Sequence, residues 1–484
     1  MIGAPSSGAS RAPSDDAGRG TRLRFSDLGL LFGLTVGVRL LLALARPGLT
    51  YDSGVYFTTA LNIIDNGCVS ISPPASGACL PSWGGNHLPG YPAFIAAVLT
   101  VFNGQVAAVL VLQTLITGLA MVWLAVSLLR VTGSRRISLI AAGLVAGSPV
   151  GIPWSRMLLV EALLIACSIW LAGSLLKALA DRRLGVLNIA PALITGTFVR
   201  PDFVLFALPV TVVAFACHRW QTAISRLAMI AVLTIAPLGA WWVRSVRLGL
   251  PSVPPLPMAD GRRPPTGSLN LLKTWLTHDD QYREWHWPML TARYEDVSLR
   301  YSGIDSMSSD YERIQELLLQ LVPYTGSEVP EAIDRAFDEL ATERRNRSAL
   351  RTWITIPAAS AWHLWTDALP ASPDGWSIGA IGPGLSRLAA AWKAGMIILL
   401  LTAGSFISLA RRQHPVTPFV VATLAILGLH TAFLAFGGMV EPRYALPVVP
   451  FMEVAVVLSL AGLLGTSAQA HQGELGMRRS HAVR

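Results

Sequence analysis

The amino-acid sequence predicts an all-α membrane protein, a polytopic bundle of about ten transmembrane helices with a helical exoplasmic segment. Of the 484 residues, 52% are hydrophobic and 14% are charged, whereas soluble domains carry about 25% charged residues. The mean hydropathy is +0.50. Apolar residues also gather into runs close to the roughly 20 residues that cross a hydrocarbon core. With so little charge to face water, most of the chain is predicted to face lipid.

The apolar runs define the predicted spans in order. Residues 1–24 lack apolar periodicity and predict a disordered cytoplasmic tail. No A-x-A-like cleavage site follows the first apolar run, which therefore predicts a retained span. The short pair 186–199 and 203–217 crosses the membrane twice or forms a re-entrant hairpin, and the sequence leaves both open. The ten predicted spans are 28–45, 105–129, 137–153, 157–178, 186–199, 203–217, 227–243, 391–410, 416–437 and 445–465.

The positions of Arg and Lys predict the orientation, because positive residues are enriched in cytoplasmic loops. Here they gather in alternate loops and in both tails, so one consistent assignment places both termini in the cytoplasm. The loop clusters are Arg130, Arg135 and Arg136; Lys177, Arg182 and Arg183; Arg219 and Arg226; and Arg411 and Arg412. The net charge of +9 suits anionic lipid headgroups, and no nucleic-acid partner is predicted.

This topology divides the chain into five parts and predicts where it is located. The preference for Arg over Lys, with many Ala, Gly and Pro residues, is typical of a GC-rich bacterial genome. We therefore predict a multi-pass protein of a bacterial cell (inner) membrane. The parts are a tail, 1–24; an N-terminal transmembrane module, 25–243, with its first exoplasmic loop at 46–104; an exoplasmic or periplasmic segment, 244–385; C-terminal transmembrane helices, 386–465; and a cytoplasmic tail, 466–484.

Two features of these outside segments carry local predictions. Cys68 and Cys79 lie in the first exoplasmic loop and are a candidate disulfide, because that compartment is oxidising. In the larger segment, the stretch from Pro330 to Arg351 has Ile333, Phe337 and Leu340 at helical spacing, which predicts an amphipathic helix.

The first exoplasmic loop contains the most distinctive polar residues. Asp52 is the first acid after the first span and lies within one turn of the membrane face. Tyr56 follows four residues later, so both side chains share one face of a helix. The loop ends at His87-Leu88-Pro89-Gly90-Tyr91-Pro92, before an apolar helix. A solvated or capping carboxylate is the alternative interpretation of Asp52.

These motifs resemble the GT-C superfamily, glycosyltransferases that use polyprenyl-phosphate sugars, such as protein O-mannosyltransferases and lipid A aminoarabinose transferase. The resemblance begins with a D-x-x-x-Y start to the loop, an A-x-x-[IL]-[IL]-x-x-G helix from Ala60 to Gly67, and P-x-Y-P. Later matches follow in order over residues 28–465: Glu161, Arg200-Pro201-Asp202, Trp241-Trp242-Val243-Arg244 with Ser245 where the family has Asn, and Arg443-Tyr444-Ala445-Leu446-Pro447.

The resemblance implies a function and a site. A sugar would pass with inversion from a polyprenyl-phosphate carrier to a glycan, lipid or protein acceptor on the exoplasmic face. Asp52 would be the general base. Arg443 is the first choice for the phosphate, because a guanidinium can bind an oxyanion bidentately, and Arg200 and His87 follow. The predicted substrate-binding residues are Tyr56, His87, Tyr91, Glu161, Arg200, Asp202, Arg244, Arg443 and Tyr444.

No cofactor or metal is assigned from the sequence. Many family members carry a second acid directly after the loop Asp, and this chain has Ser53 there, so a role for paired carboxylates is in doubt. A divalent metal is left open. The cluster of His278, Asp279, Asp280 and His286 matches no recognisable metal spacing and is predicted to be a solvated, Trp-rich loop that faces the acceptor.

Structural interpretations compete with the functional ones. Arg39 could snorkel to the headgroups, Arg200 and Asp202 could pair to hold the short hairpin, and Glu161 could cap or pair internally. Tyr56, Tyr91 and Tyr444 could belong to an aromatic belt. The rival functions are a secondary transporter, which usually has paired repeats and charges near the bilayer midplane, and a non-catalytic membrane scaffold of glycosyltransferase descent.

Overall fold

The computed structural model describes residues 22–45, 48–71, 82, 88–250, 265–300, 302–304, 307–367, 381–410, 416–438 and 440–463. Within them the chain is helical, and the one extended pairing is a parallel bridge between Gly48 and Met157. The predicted helical membrane fold is confirmed. The helices are α1 Phe25–Ala45, α2 Tyr51–Asn66, α3 Gly90–Val101, α4 Val106–Thr132, α5 Arg135–Ala146, α6 Val160–Asp181, α7 Val186–Val199, α8 Ala207–Cys217, α9 Trp220–Arg247, α10 Thr266–Leu272, α11 Asp279–Thr291, α12 Ser309–Leu321, α13 Glu331–Arg347, α14 Ile356–Thr366, α15 Ile381–Leu399, α16 Ser405–Ala410, α17 Thr417–Gly437 and α18 449–463.

Seven helical segments within the described ranges are long and apolar enough to span a membrane, so the predicted count of ten is not confirmed. The predicted pair 186–199 and 203–217 forms shorter apolar helices. The predicted span 137–153 ends early, because Pro149 disfavours the helical conformation at Ser148 and α5 stops at Ala146. The seven are Phe25–Leu44, Val106–Thr132, Val160–Asp181, Trp220–Arg247, Gly384–Leu409, Thr417–Gly437 and Pro442–Leu463. The predicted tails, 1–24 and 466–484, lie almost wholly outside the described residues.

Helix α6 lies at the centre of the transmembrane bundle. It is buried along most of its length and contacts α4, α7, α8 and the 3₁₀ segment Pro442–Val448. Because α6 is buried against these elements along most of its length, other helices rather than lipid surround it. Its first turn therefore begins inside protein, and a charged residue placed there is shielded from both lipid and bulk water.

Arg39 of α1 does not snorkel to the headgroups. It is 2% exposed, and its Nη1 donates to the carbonyl of Ala146, at 2.9 Å. That carbonyl belongs to the last turn of α5, where helical carbonyls have no partner within the helix. Arg39 therefore satisfies the end of the interrupted helix α5 from inside the bundle.

A cover layer, residues 265–347, has a hydrophobic core of its own. Trp275, Trp285 and Phe337 are among the buried residues of this core. The amphipathic helix predicted near its C-terminal end is confirmed as α13, with Ile333, Phe337 and Leu340 buried. Pro330 is the N-cap residue of α13. A separate core lets this layer hold a fixed shape above the bundle.

Helix α10 approaches α13 so closely that only glycine fits at Gly267. The Asp334 carboxylate accepts from the backbone N–H groups of Gly267, at 2.9 Å, and Ser268, at 3.1 Å. A Cβ on Gly267 would overlap the backbone carbonyl of Asp334. We expect Gly267→Ala to lower the free energy of unfolding by about 1–3 kcal/mol, as overpacking does, when measured by thermal unfolding in detergent.

The matched control is Gly395→Ala on α15, where an added Cβ would meet no atom within 4 Å. This variant should be neutral or slightly stabilising, because alanine is favoured over glycine inside a helix. Equal stability of the two variants would contradict the tight packing of α10 against α13.

Candidate active site

Asp52 is held in the first turn of α2 by a capping box. The Thr50 hydroxyl accepts from the Ser53 N–H at 3.2 Å, and the Ser53 hydroxyl accepts from the Thr50 N–H at 3.0 Å. Ser53 is 1% exposed. Ser53, which departs from the family pattern, is thus the buried N3 residue of the capping box and helps to fix the first turn of α2, which contains Asp52.

A second backbone contact aligns α2 with α6. The Gly48 N–H donates to the carbonyl of Arg156 at 2.9 Å, and the Leu158 N–H donates to the carbonyl of Gly48 at 3.4 Å. The segments that lead into the two helices are therefore joined. The first turn of α6, which contains Glu161, therefore lies close to the first turn of α2, which contains Asp52.

Arg443 gathers three carboxylates at this point. Its Nη1 lies 2.9 Å from Asp52 Oδ2, and its Nε lies 3.9 Å from Glu161 Oε1. Its Nε also forms an ion pair with Glu441. Glu441 is the N-cap residue of the 3₁₀ segment that begins at Pro442 and contains Arg443. One guanidinium thus holds carboxylates from three separate regions of the chain.

Arg200 and Asp202 form a bidentate ion pair beside Arg443. Arg200 Nε and Nη2 donate to the two Asp202 oxygens at 2.7 and 2.8 Å, and Nη2 also donates to the Tyr444 carbonyl at 3.2 Å. The Tyr444 ring centroid lies 5.2 Å from the guanidinium carbon of Arg200 and 5.4 Å from that of Arg443. Both distances are in the cation–π range, so Tyr444 joins the two arginines.

The structure therefore brings together most of the predicted charged residues. We name this group the ion cluster: Asp52, Glu161, Arg200, Asp202, Glu441 and Arg443. The alternative of a structural pair describes Arg200 and Asp202 correctly, but the pair lies within the cluster rather than apart from it. The sequence analysis did not predict Glu441, although it is an acid two residues before Arg443.

His430 is another residue that the sequence analysis did not predict. It lies on α17 and is fully buried, with its Nε2 3.3 Å from Asp202 Oδ2. It packs edge-on against Phe206, with ring centroids 6.2 Å apart. The available signal was a histidine in the apolar run 416–437, because an ionisable residue inside a span usually has a specific partner.

Tyr56 and Tyr91 are packing residues rather than members of an aromatic belt. They are 1% and 0% exposed, with ring centroids 5.3 Å apart in an edge-to-face arrangement. The Tyr91 hydroxyl donates to Gln113 Oε1 at 3.2 Å. Tyr56 also interacts electrostatically with Asp52, Glu161 and Arg443, so this pair of rings packs next to the cluster.

Other predicted residues lie apart or outside the described ranges. Arg244 stacks on Trp241, 4.4 Å from the ring centroid, and donates to the Ser82 carbonyl at 3.1 Å. No contact of Arg244 within the described residues reaches the ion cluster. Cys68 is disulfide-bonded, while Cys79, its predicted partner, and His87 lie outside the described residues.

Helix α11 of the cover layer reaches the ion cluster, which corrects the predicted solvated loop. Tyr282 lies close enough that its pKa is raised well above the ordinary value, first by burial and then by Tyr444 and Glu441. His286 is 2% exposed, and burial lowers its pKa to about 4. Within the described part of the chain, no three His, Cys, Asp or Glu side chains are arranged to hold a metal ion.

Asp279 of α11 predicts a pH dependence of stability. Burial and then the negative charge of Glu441 raise its pKa to about 6, although Arg283 lies 2.6 Å away and opposes the shift. The unfolded carboxyl has a pKa near 3.9, so the folded state binds the proton more tightly. The stability from this proton is fully present below about pH 4 and is lost as the pH rises through about 6.

The measurement compares the free energy of unfolding of the wild type and Asp279→Asn between pH 4 and pH 7. Relative to the variant, the wild type should lose up to about 3 kcal/mol across this interval. If the difference in the free energy of unfolding between the wild type and Asp279→Asn did not change with pH, the raised pKa of Asp279 would be contradicted.

Residues 86–242 match the family described as dolichyl-phosphate-mannose-protein mannosyltransferase. This range contains Tyr91, Glu161, Arg200 and Asp202, while Asp52 and Arg443 lie outside it. The chain has no match among curated proteins.

The chain is also similar to three solved structures. One is the archaeal oligosaccharyltransferase AglB from Archaeoglobus fulgidus, in complex with an inhibitory peptide and a dolichol-phosphate. It is 14% identical to this chain with a TM-score of 0.45, and the matched region covers 93% of this chain and 51% of the AglB chain. ArnT from Cupriavidus metallidurans bound to undecaprenyl phosphate has 14% identity and a TM-score of 0.38, covering 90% and 78%. ArnT in the apo state has 14% identity and a TM-score of 0.38, covering 89% and 77%.

The present chain thus spans about half the length of AglB. The family match over residues 86–242 confirms the resemblance of the chain to the GT-C superfamily of glycosyltransferases that the sequence motifs indicated.

Proposed function

We propose that this protein is a membrane glycosyltransferase that moves a sugar from a polyprenyl-phosphate carrier to an acceptor at the exoplasmic face. One observation carries the proposal. Asp52, Glu161, Arg200 and Arg443 come from four separate regions of the chain and meet where α2 and α6 begin. A carboxylate beside guanidiniums offers what such a transfer needs, namely a base for the acceptor and cations for the leaving phosphate.

Asp52 is the general base in this proposal. The acceptor hydroxyl attacks the anomeric carbon of the sugar, and its proton passes to the Asp52 carboxylate. The bond between that carbon and the phosphate oxygen breaks, so polyprenyl phosphate leaves and the anomeric centre inverts. The capping box of Thr50 and Ser53 supports this role, because it fixes the first turn of α2.

Arg443 is the proposed ligand of the phosphate. The charge of Arg443 is shared among three carboxylates, and its bond to Asp52 is 2.9 Å long. A phosphate that approaches Arg443 competes with Asp52 for the same N–H groups. Donor binding would thereby free the Asp52 carboxylate to accept the proton of the acceptor hydroxyl.

The carrier tail has a candidate position between helices. An apolar groove of about 530 Å³ lies between α14, α15 and α17, lined by residues such as Pro357, Leu401 and Leu427. Thr431 lines this groove and accepts from the Trp365 indole N–H at 2.9 Å. Thr431 directly follows His430 in the sequence of α17. An apolar tail in this groove would lie against α17, the helix that carries His430.

The test supplies the purified protein in detergent with radiolabelled sugars on undecaprenyl phosphate, together with acceptors extracted from bacterial envelopes. Transfer of label from at least one donor is expected. No transfer by a folded preparation from any donor would contradict the proposal. Uptake of a solute into proteoliposomes driven by an ion gradient, without sugar transfer, would instead support the secondary transporter.

A further inference from the structure

Three buried polar atoms of the ion cluster have no hydrogen-bond partner within the described residues. One of them, Arg443 Nε, still forms an ion pair with Glu441, which leaves Glu161 Oε2 and Arg200 Nη1. The residues are 1% and 3% exposed. Buried polar groups in native proteins nearly always have a protein or water partner. An unpaired acceptor and an unpaired donor in one cluster therefore indicate a position for a bound group.

The remaining polar atoms of both side chains are already engaged. Arg200 Nε and Nη2 bind Asp202, and Nη2 also binds the Tyr444 carbonyl. Glu161 Oε1 faces Arg443 Nε at 3.9 Å. Glu161 and Arg200 also interact with each other electrostatically. What the two side chains can still offer a ligand is one N–H donor and one carboxylate acceptor.

The chemistry of this pair selects the ligand group. A group that satisfies both atoms must accept from a guanidinium and donate to a carboxylate. A hydroxyl does both, whereas an ionised phosphodiester has no hydrogen to donate and would be repelled by Glu161.

We propose that Glu161 and Arg200 bind one hydroxyl of the transferred sugar and so determine specificity for a sugar with a free hydroxyl at that position. This inference rests on the proposed function and separates the roles of the two arginines, since Arg443 serves the phosphate. The partners Asp202 and Tyr444 hold Arg200 in place before the sugar arrives, so little side-chain ordering remains for binding.

The experiment measures the affinity of purified protein for two probes, undecaprenyl phosphate alone and undecaprenyl phosphate that carries a hexose (mannose, glucose or galactose). Glu161→Leu should weaken binding of the best hexose-linked lipid about 10- to 150-fold, the equivalent of one hydrogen bond to a charged group. Binding of bare undecaprenyl phosphate should not weaken, because Arg443 loses a neighbouring carboxylate rather than a ligand. Glu161→Gln keeps a neutral acceptor and should show a smaller loss, and it carries the test if the Leu variant does not fold.

Glu453 provides the matched control. It is a carboxyl on α18, also fully buried, with one oxygen bound by Trp392 at 2.7 Å and the other unpartnered among the described residues. Glu453→Leu should leave the ratio of the two affinities unchanged. If Glu161→Leu and Glu453→Leu changed the ratio of the two affinities by the same factor, the loss of any buried carboxyl would disturb the site.

Monodeoxy forms of the preferred hexose donor identify the hydroxyl. The wild type should transfer one deoxy sugar about 10- to 150-fold less efficiently, as kcat/KM, than the parent sugar, and Glu161→Leu should lose this discrimination. Equal losses for both lipid probes, or full discrimination in the variant, would mean that only ordered water occupies the position and would overturn the inference. A wild type that binds neither probe would refute the proposed function itself, and the inference with it.

Discussion

Asp52→Asn is expected to abolish detectable sugar transfer while the protein stays folded. A correctly placed general base contributes about 10²–10⁴-fold to rate, and the Asn amide has the same shape as the carboxylate but cannot accept the proton. The helix start should survive the change, because the capping box is formed by Thr50 and Ser53. The measurement is the initial rate of transfer from the undecaprenyl-phosphate donor, at equal amounts of folded protein.

Asp65→Asn is the control for this substitution. Asp65 lies on the same helix, α2, but on its exposed surface, so its loss should leave the transfer rate unchanged. Binding of undecaprenyl phosphate to Asp52→Asn should also persist, since Arg443 loses a competitor rather than a ligand. Full transfer by Asp52→Asn would remove the assignment of the base and favour a non-catalytic scaffold.

The charged members of the site could be predicted because charge is rare in this chain. Asp52, Glu161, Arg200 and Arg443 each stand next to an apolar run, where an ionisable group is costly without a partner. The same reasoning reaches His430 on α17. It was missed because a single histidine lowers the mean hydropathy of a span only slightly.

The pairings within the site could not be predicted from the sequence. Which carboxylates surround Arg443 depends on how α2 and α6 meet, and this is fixed by backbone contacts of Gly48 with residues far along the chain. The buried position of Tyr91 likewise depends on Gln113 of α4. Such contacts between distant residues leave no periodic pattern in the sequence.

The two errors about helices have local physical causes. The span predicted at 137–153 has the right composition, but Pro149 ends α5 and Arg39 then satisfies the free carbonyl of Ala146. The loop predicted around His278 and His286 begins a helix, because Gln281 accepts from the backbone at its start, at 2.7 Å from Thr277. In both cases composition indicated the environment of the segment and a few side chains decided its conformation.

Arg443→Met is expected to have the largest effect on stability among single substitutions in the site. Removing one partner of a buried ion pair costs about 3–5 kcal/mol, because the remaining charge is left uncompensated. Here three carboxylates, those of Asp52, Glu161 and Glu441, would lose their shared cation. Thermal unfolding in detergent should show this loss, and binding of undecaprenyl phosphate should weaken about 10- to 150-fold.

A double-mutant cycle separates the electrostatic cause from lost packing. If the destabilisation comes from repulsion among carboxylates, Arg443→Met combined with Asp52→Asn should be more stable than Arg443→Met alone, with a coupling of about 0.5–3 kcal/mol. The same cycle on the exposed pair Arg313 and Glu343, 2.6 Å apart, should give little coupling, since water screens surface ion pairs. Additive effects in the site would mean that Arg443 acts through its bulk, and a phosphate would then have no reason to displace Asp52.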